Sequence, residues 1–105
     1  MSDANLLKRL DKLESMEAIR TMVARYAEGA DLKNDPVILG SLFAEDAIWE
    51  ANGFGQYSGA KNIAEGLSEI AKNAIHWSLH YMISPKITID ESGDEATCDW
   101  YLWEL

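Results

Sequence analysis

The sequence is short of the residues that bind phosphate, clamp metals or staple a chain. It holds one cysteine, Cys98, in 105 residues, so no intrachain disulfide can form, and a reducing, cytoplasmic setting is expected. Base is scarce: nine Lys and Arg stand against 18 Asp and Glu, for a net charge of −9. Nucleic acid and anionic membrane surfaces both demand a basic patch, so neither is expected as a partner. No apolar run has the length of a signal peptide or a membrane span, and the first residues, "MSDANLLKRLDKLES", are charged and amphipathic. There is no P-loop, no G-x-G-x-x-G, no G-x-S-x-G and no C-x-x-C. No cofactor is therefore expected. Nor is a metal, because the two histidines, four apart on an expected strand, do not make the helical H-E-x-x-H arrangement and no cysteine cluster helps them.

What is present suits one small globular domain over 1–105. Hydrophobic residues make up 48%, with four tryptophans and four tyrosines. Such large amphipathic rings belong in a core, a pocket wall or an interface. No repeat or linker interrupts the chain.

Residues 5–30 carry a helical period, with Leu6, Leu10, Leu13, Ile19, Val23, Tyr26 and Ala30 on one broad stripe. Ser2 or Asp3 is the expected cap, and a break near Ser15 would divide the segment in two. Asn34 or Asp35 caps a short second helix with Pro36 in its first turn, ending around Ala44. "AIWEAN" reads as a strand. "GFGQYSG" reads as a turn with one short strand. Ser58 is placed to cap a third helix, from Ala60 to about Asn73, with Ile63, Leu67, Ile70 and Ala74 on its apolar face. Residues 75–90 read as one long strand, disturbed at Ser84-Pro85 because proline cannot donate to a ladder. "DESGDE" turns the chain, and "ATCDWYLWEL" returns. The class is α+β, helices on one face of a mainly antiparallel sheet. The last run, "WYLWEL", is apolar throughout and calls for a neighbouring strand or a partner.

Few residues carry chemistry. Asp31 stands at the end of a long helix, where the dipole's negative end disfavours an acid. Function explains such a placement; so does a solvated loop acid. Tyr26 lies on the apolar stripe, either as a core ring or as a donor into a cavity. On the strand "HWSLHY", His76, Ser78 and His80 face one way and Trp77, Leu79 and Tyr81 the other. Periodicity does not say whether the polar face meets water or a cavity. Glu104 shares a face with Trp100 and Leu102.

Taken in order, "EAIRTMVARYAEGAD", "LFAEDAIWE", "GQYSGAKNIAEGL", "HYMISPKITID" and "ATCDWYL" resemble the SnoaL-like branch of the nuclear-transport-factor-2-like superfamily. The chain is most similar there to bile-acid 7α-dehydratase-type and dehydrochlorinase-type lyases. The resemblance implies a cone-shaped α+β barrel, a curved sheet wrapped on three helices, with the last two family strands lacking. It implies a cofactor-independent lyase of dehydratase type, or an isomerase, acting on an apolar, ring-containing small molecule. A family tyrosine matches Tyr26, an aspartate matches Asp31 and a strand histidine matches His80, five residues before Pro85. A family aspartate falls at Glu104, where the longer side chain is a departure, and a pocket tryptophan falls at Trp49. His80 is then the expected base, Asp31 the group that holds its tautomer and Tyr26 the donor. Trp49, Tyr57, Met82, Glu104 and His76 are expected in or near the pocket wall. The competing expectation is a non-catalytic binding or structural module of the same fold, and an Asp31–His80 separation near 3.2 Å inside a cavity favours the enzyme. A homo-oligomer, dimer or trimer, is expected through Trp77, Leu79, Tyr81 and the last strand.

Overall fold

The computed structural model describes residues 2–105. Helix α1 is one unbroken helix, Asp3–Asp31, and Ser2 caps it by accepting the Asn5 N–H at 3.2 Å. The break expected at Ser15 does not occur. No glycine or proline interrupts the run before Gly29, and helix formers dominate it. Only part of the expected stripe is core. Val23 and Ala30 are buried and Tyr26 is half-buried, whereas Leu6, Leu10 and Leu13 are exposed.

Helix α2, Pro36–Gly40, begins as the sequence suggests. The Asp35 carboxylate accepts the N–H groups of Val37 at 2.9 Å and Ile38 at 3.1 Å. It ends earlier than Ala44, because the Ser41 hydroxyl donates to the Ile38 carbonyl at 2.6 Å just past Gly40. Helices α1 and α2 approach closely at Gly29, where a Cβ would stand 2.8 Å from both Ile38 Cγ2 and Leu39 Cδ2.

Strands β1, Ile48–Ala51, and β2, Gly55–Ser58, form a hairpin in which Trp49 pairs with Tyr57. Helix α3, Ala60–Ala74, follows. Its N-cap is Gly59, at φ 87°, and not Ser58, whose carbonyl instead accepts from Asn62 at 3.0 Å. The left-handed backbone there suits glycine and turns the chain directly from strand to helix. Ile63, Ala64, Leu67 and Ala71 are its buried face. Leu39, Ile63 and Leu67 form the core cluster, and Tyr26, Phe43 and Trp49 pack on it.

Strands β3, His80–Ile89, and β4, Ala96–Glu104, make the long hairpin. The strand expected from residue 75 starts at His80; Leu79 only exchanges backbone hydrogen bonds with Leu105. The disturbance at Ser84-Pro85 is present as a register shift between Ile83 and Lys86, with Ser84 at φ 52°. One face of β3 turns inward, where α1 packs on it; the alternate face carries Tyr81 and Ile83 into solvent. The architecture is α+β with antiparallel pairing. Among the described residues the strands form two separate two-stranded sheets, not one curved sheet and not a closed barrel. No described helix is long and apolar enough to cross a membrane.

Candidate functional site

Register decides the site. His80 pairs directly with Glu104 across the β3–β4 ladder, so their side chains leave the same face as near neighbours. Because α1 packs on β3, its last residue, Asp31, meets the first residue of that strand. Asp31 Oδ1 accepts the His80 backbone N–H at 2.6 Å and lies 3.0 Å from His80 Nδ1. A carboxylate only accepts, so Nδ1 carries the proton in this contact, and Nε2 is the nitrogen on the far side of the ring. Nε2 lies 3.2 Å from Glu104 Oε1. The imidazole is thus held between two carboxylates, with its side chain only 9% exposed.

Beside it lies a cavity of about 260 Å³, onto which His80, Glu104, Tyr26, Trp49 and Asn34 open. Ala30, Leu67, Ile70, Ile75 and Leu102 make its apolar walls. Most of the lining is apolar and a few polar groups converge on it, the usual composition of a small-molecule site. The Trp49 indole N–H donates to the Tyr26 hydroxyl at 3.1 Å. That contact occupies a lone pair and leaves the Tyr26 proton free to donate. Burial pushes the Tyr26 hydroxyl above its ordinary range, the Trp49 bond opposes this, and the Glu104 carboxylate adds to it. Tyr26 therefore stays a proton donor at neutral and mildly alkaline pH.

Of the residues singled out from the sequence, Asp31, His80 and Glu104 meet one another, and Tyr26, Trp49, His80 and Glu104 line the cavity. Tyr57, Met82 and His76 do not line it. The Tyr57 ring is turned onto α3, so close to Gly66 that a Cβ there would stand 2.5 Å from its Cε1, and it packs against Trp49 from behind at 5.7 Å. Met82 is one step further along the inward face of β3, away from the cavity end, and is half-buried. His76 precedes the strand and is exposed, outside the pocket wall where it was expected. Ser78 is buried with its hydroxyl unpaired among the described residues, rather than on a polar stripe.

Asn34 was open to a capping role from sequence, yet Asp35 caps α2 and Asn34 reaches the cavity. Its one local clue is a residue type tolerant of left-handed backbone, which it adopts at φ 54°. No described group of three or more His, Cys, Asp or Glu is arranged to hold a metal.

The model of the SnoaL-like domain matches residues 11–105. No curated protein matches the chain. Several solved structures do. LinA superimposes with a TM-score of 0.75 at 26% identity, over 91% of this chain and 64% of its own. A candidate aromatic ring hydroxylase from Novosphingobium aromaticivorans gives a TM-score of 0.77 at 26% identity, over 88% and 64%. A hexachlorocyclohexane dehydrochlorinase, LinA-type3, from Novosphingobium barchaimii LL02 gives 0.74 at 26%, over 91% and 64%. The chain thus spans about 64% of the length of these structures.

Proposed function

The chain belongs to the SnoaL-like domain family, and from that premise we propose that it is a cofactor-independent lyase whose general base is His80. One observation supports this most: the Asp31–His80 contact at 3.0 Å beside an apolar cavity. The proposed reaction is a 1,2-elimination from an apolar, ring-containing small molecule. Nε2 takes a proton from carbon, the C–H electron pair becomes the C=C bond, and the leaving group departs with its own bonding pair. Asp31 stabilises the imidazolium that forms. Tyr26 donates its proton to a leaving oxygen, or a hydrogen bond to a leaving halide. After loss of a hydroxyl the imidazolium's proton passes to the Tyr26 phenolate, and after loss of a halide it passes to water, so both residues are restored.

Glu104 Oε1 stands 3.2 Å from Nε2, a contact that holds one proton. A substrate C–H must replace that contact, so Glu104 moves aside with that proton when substrate enters and leaves a lone pair on Nε2. A placed base contributes about 10²–10⁴-fold, and a preorganised donor such as Tyr26 a comparable factor. The same core chemistry serves a dehydratase, a dehydrochlorinase or, with reprotonation elsewhere on the ring, an isomerase. The proposal includes a homo-oligomer formed through the outer face of the β3–β4 hairpin.

Hexachlorocyclohexane isomers, read by chloride release, and cyclic β-hydroxy ketones, read by absorbance of the enone formed, make a practical first panel. Turnover by the wild-type chain and its loss in His80→Gln, with the fold retained by circular dichroism, is the expected pair of results. Undiminished turnover in His80→Gln sinks the assignment of the base. A chain that binds cyclic ligands in this cavity and eliminates from none, halogenated or hydroxylated, is a binding module.

A further inference from the structure

The cavity lining holds one buried polar residue that the proposed elimination does not use. Asn34 is only 9% exposed, and its Nδ2 donates to the Leu67 carbonyl at 2.9 Å. A carbonyl can only accept, so the atom facing Leu67 has to be nitrogen, and this settles which way the amide lies. The oxygen, Oδ1, is then the opposite end, and it accepts no hydrogen bond from any described residue. It is also absent from the buried polar atoms left without a partner, so Oδ1 keeps some accessible surface. Asn34 itself lines the cavity. The backbone holds it in place: Asn34 sits at φ 54° in the loop after α1, three residues past Asp31, and its N–H bonds the Ala30 carbonyl at 3.3 Å.

An uncharged acceptor, fixed in direction on a residue that lines a mostly apolar cavity, gains nothing from a ligand without a donor. We infer that Asn34 is a specificity-determining residue, whose Oδ1 accepts a hydrogen bond from a hydroxyl on the bound ring. Resting on the lyase reading of this cavity, the inference narrows the substrate class to a hydroxyl-bearing ring rather than one that carries only halogens. A purely halogenated ring leaves Oδ1 desolvated and unpaired, and a site built to bond a polar group rejects the analogue that lacks it.

The test compares cyclohexanol with chlorocyclohexane, two rings of similar size that differ in carrying a donor. Dissociation constants are measured by NMR titration on the full chain and on Asn34→Gly and Asn34→Asp. Glycine tolerates the left-handed backbone and removes the amide; aspartate keeps an acceptor and loses the bond to Leu67. In the wild type, cyclohexanol shifts the Asn34 side-chain amide resonances and chlorocyclohexane does not. In Asn34→Gly, cyclohexanol binding weakens by about tenfold, the worth of one good neutral hydrogen bond, and chlorocyclohexane binding changes by less than about twofold. Asn34→Asp keeps the wild-type ratio. Three results overturn the inference: equal weakening of both ligands in the variants, which makes Asn34 only a strut on Leu67; no change for either; or no shift of the wild-type amide. No turnover is read, so a chain that binds in this way but eliminates nothing sinks the lyase reading alone. A chain that eliminates without the hydroxyl preference sinks this inference alone.

Discussion

His80 Nδ1 faces a carboxylate oxygen that can only accept. Replacing Asp31 with asparagine keeps the shape but offers an N–H where an acceptor is required, or an oxygen that no longer stabilises the imidazolium. Asp31→Asn is therefore expected to lower turnover by about 10²–10⁴-fold with little change in fold, read from turnover numbers beside circular dichroism. A variant with wild-type rate shows that the contact is structural. Tyr26 gives a second residue-scale expectation. Burial raises its hydroxyl above the ordinary range and the Trp49 bond pulls the other way. Trp49→Phe removes the opposing contact, so Tyr26 ionises at still higher pH in an ultraviolet titration; a shift downwards contradicts the assignment. The neutral form is the one favoured in the folded state. Its stabilising effect is thus complete below the unfolded tyrosine value of about 10 and is lost as pH rises through the raised folded value.

The element scale brings in packing. Gly29 is the position at which α1 and α2 touch, and Gly29→Ala places a methyl within 2.8 Å of Ile38 and Leu39. Overpacking of this kind costs about 1–3 kcal/mol, and a lower denaturant midpoint with an unchanged slope is the expected result. The β3–β4 turn is organised by Asp90. Its Oδ1 accepts the Ser92 hydroxyl at 2.8 Å, the Gly93 N–H at 2.9 Å and the Glu95 N–H at 3.3 Å. The Ser92 bond is the main reason its carboxyl is held below the ordinary range; desolvation opposes it and the backbone bonds add to it. A depressed carboxyl stabilises above its unfolded value, about 3.9, and that support disappears as pH falls through the folded value. The protection of the Gly93 and Glu95 amides, measured against their intrinsic exchange rates, should therefore fall in acid below about pH 4. Asp90→Asn should abolish the pH dependence; if it persists there, another carboxylate is responsible.

At the scale of the whole molecule, the chain is elongated, 56 × 27 × 23 Å. The outer face of the β3–β4 hairpin sets Tyr81 opposite Trp103 and Ile83 opposite Tyr101, all exposed. Trp77 is exposed beside them, whereas Leu79 is half-buried. A contiguous apolar face of this kind commonly marks an interface. Sedimentation is expected to show a dimer or trimer at micromolar concentration, and Tyr101→Lys with Trp103→Lys to shift it to monomer. A wild-type monomer at that concentration contradicts self-association.

Local pattern carried much of this molecule. Periodicity located α1 and α3, the capping chemistry of Asp35 and Pro36 placed the start of α2, and the proline at 85 announced the irregularity in β3. These features were legible because each depends on residues a few positions apart. Strand alternation also put His80 and Met82 on one face, but it could not say that only His80 reaches the cavity. The tertiary structure decided the rest. Asp31 and His80 are 49 residues apart in the chain and Asn34 and Leu67 are 33 apart. No local rule relates such pairs; they meet because α1 packs on β3 and because the loop after α1 folds back on α3. The same packing turned Tyr57 onto Gly66 and left Leu6, Leu10 and Leu13 uncovered on an otherwise regular stripe. A period states which residues share a face, and only the docking of one element on another determines what that face meets.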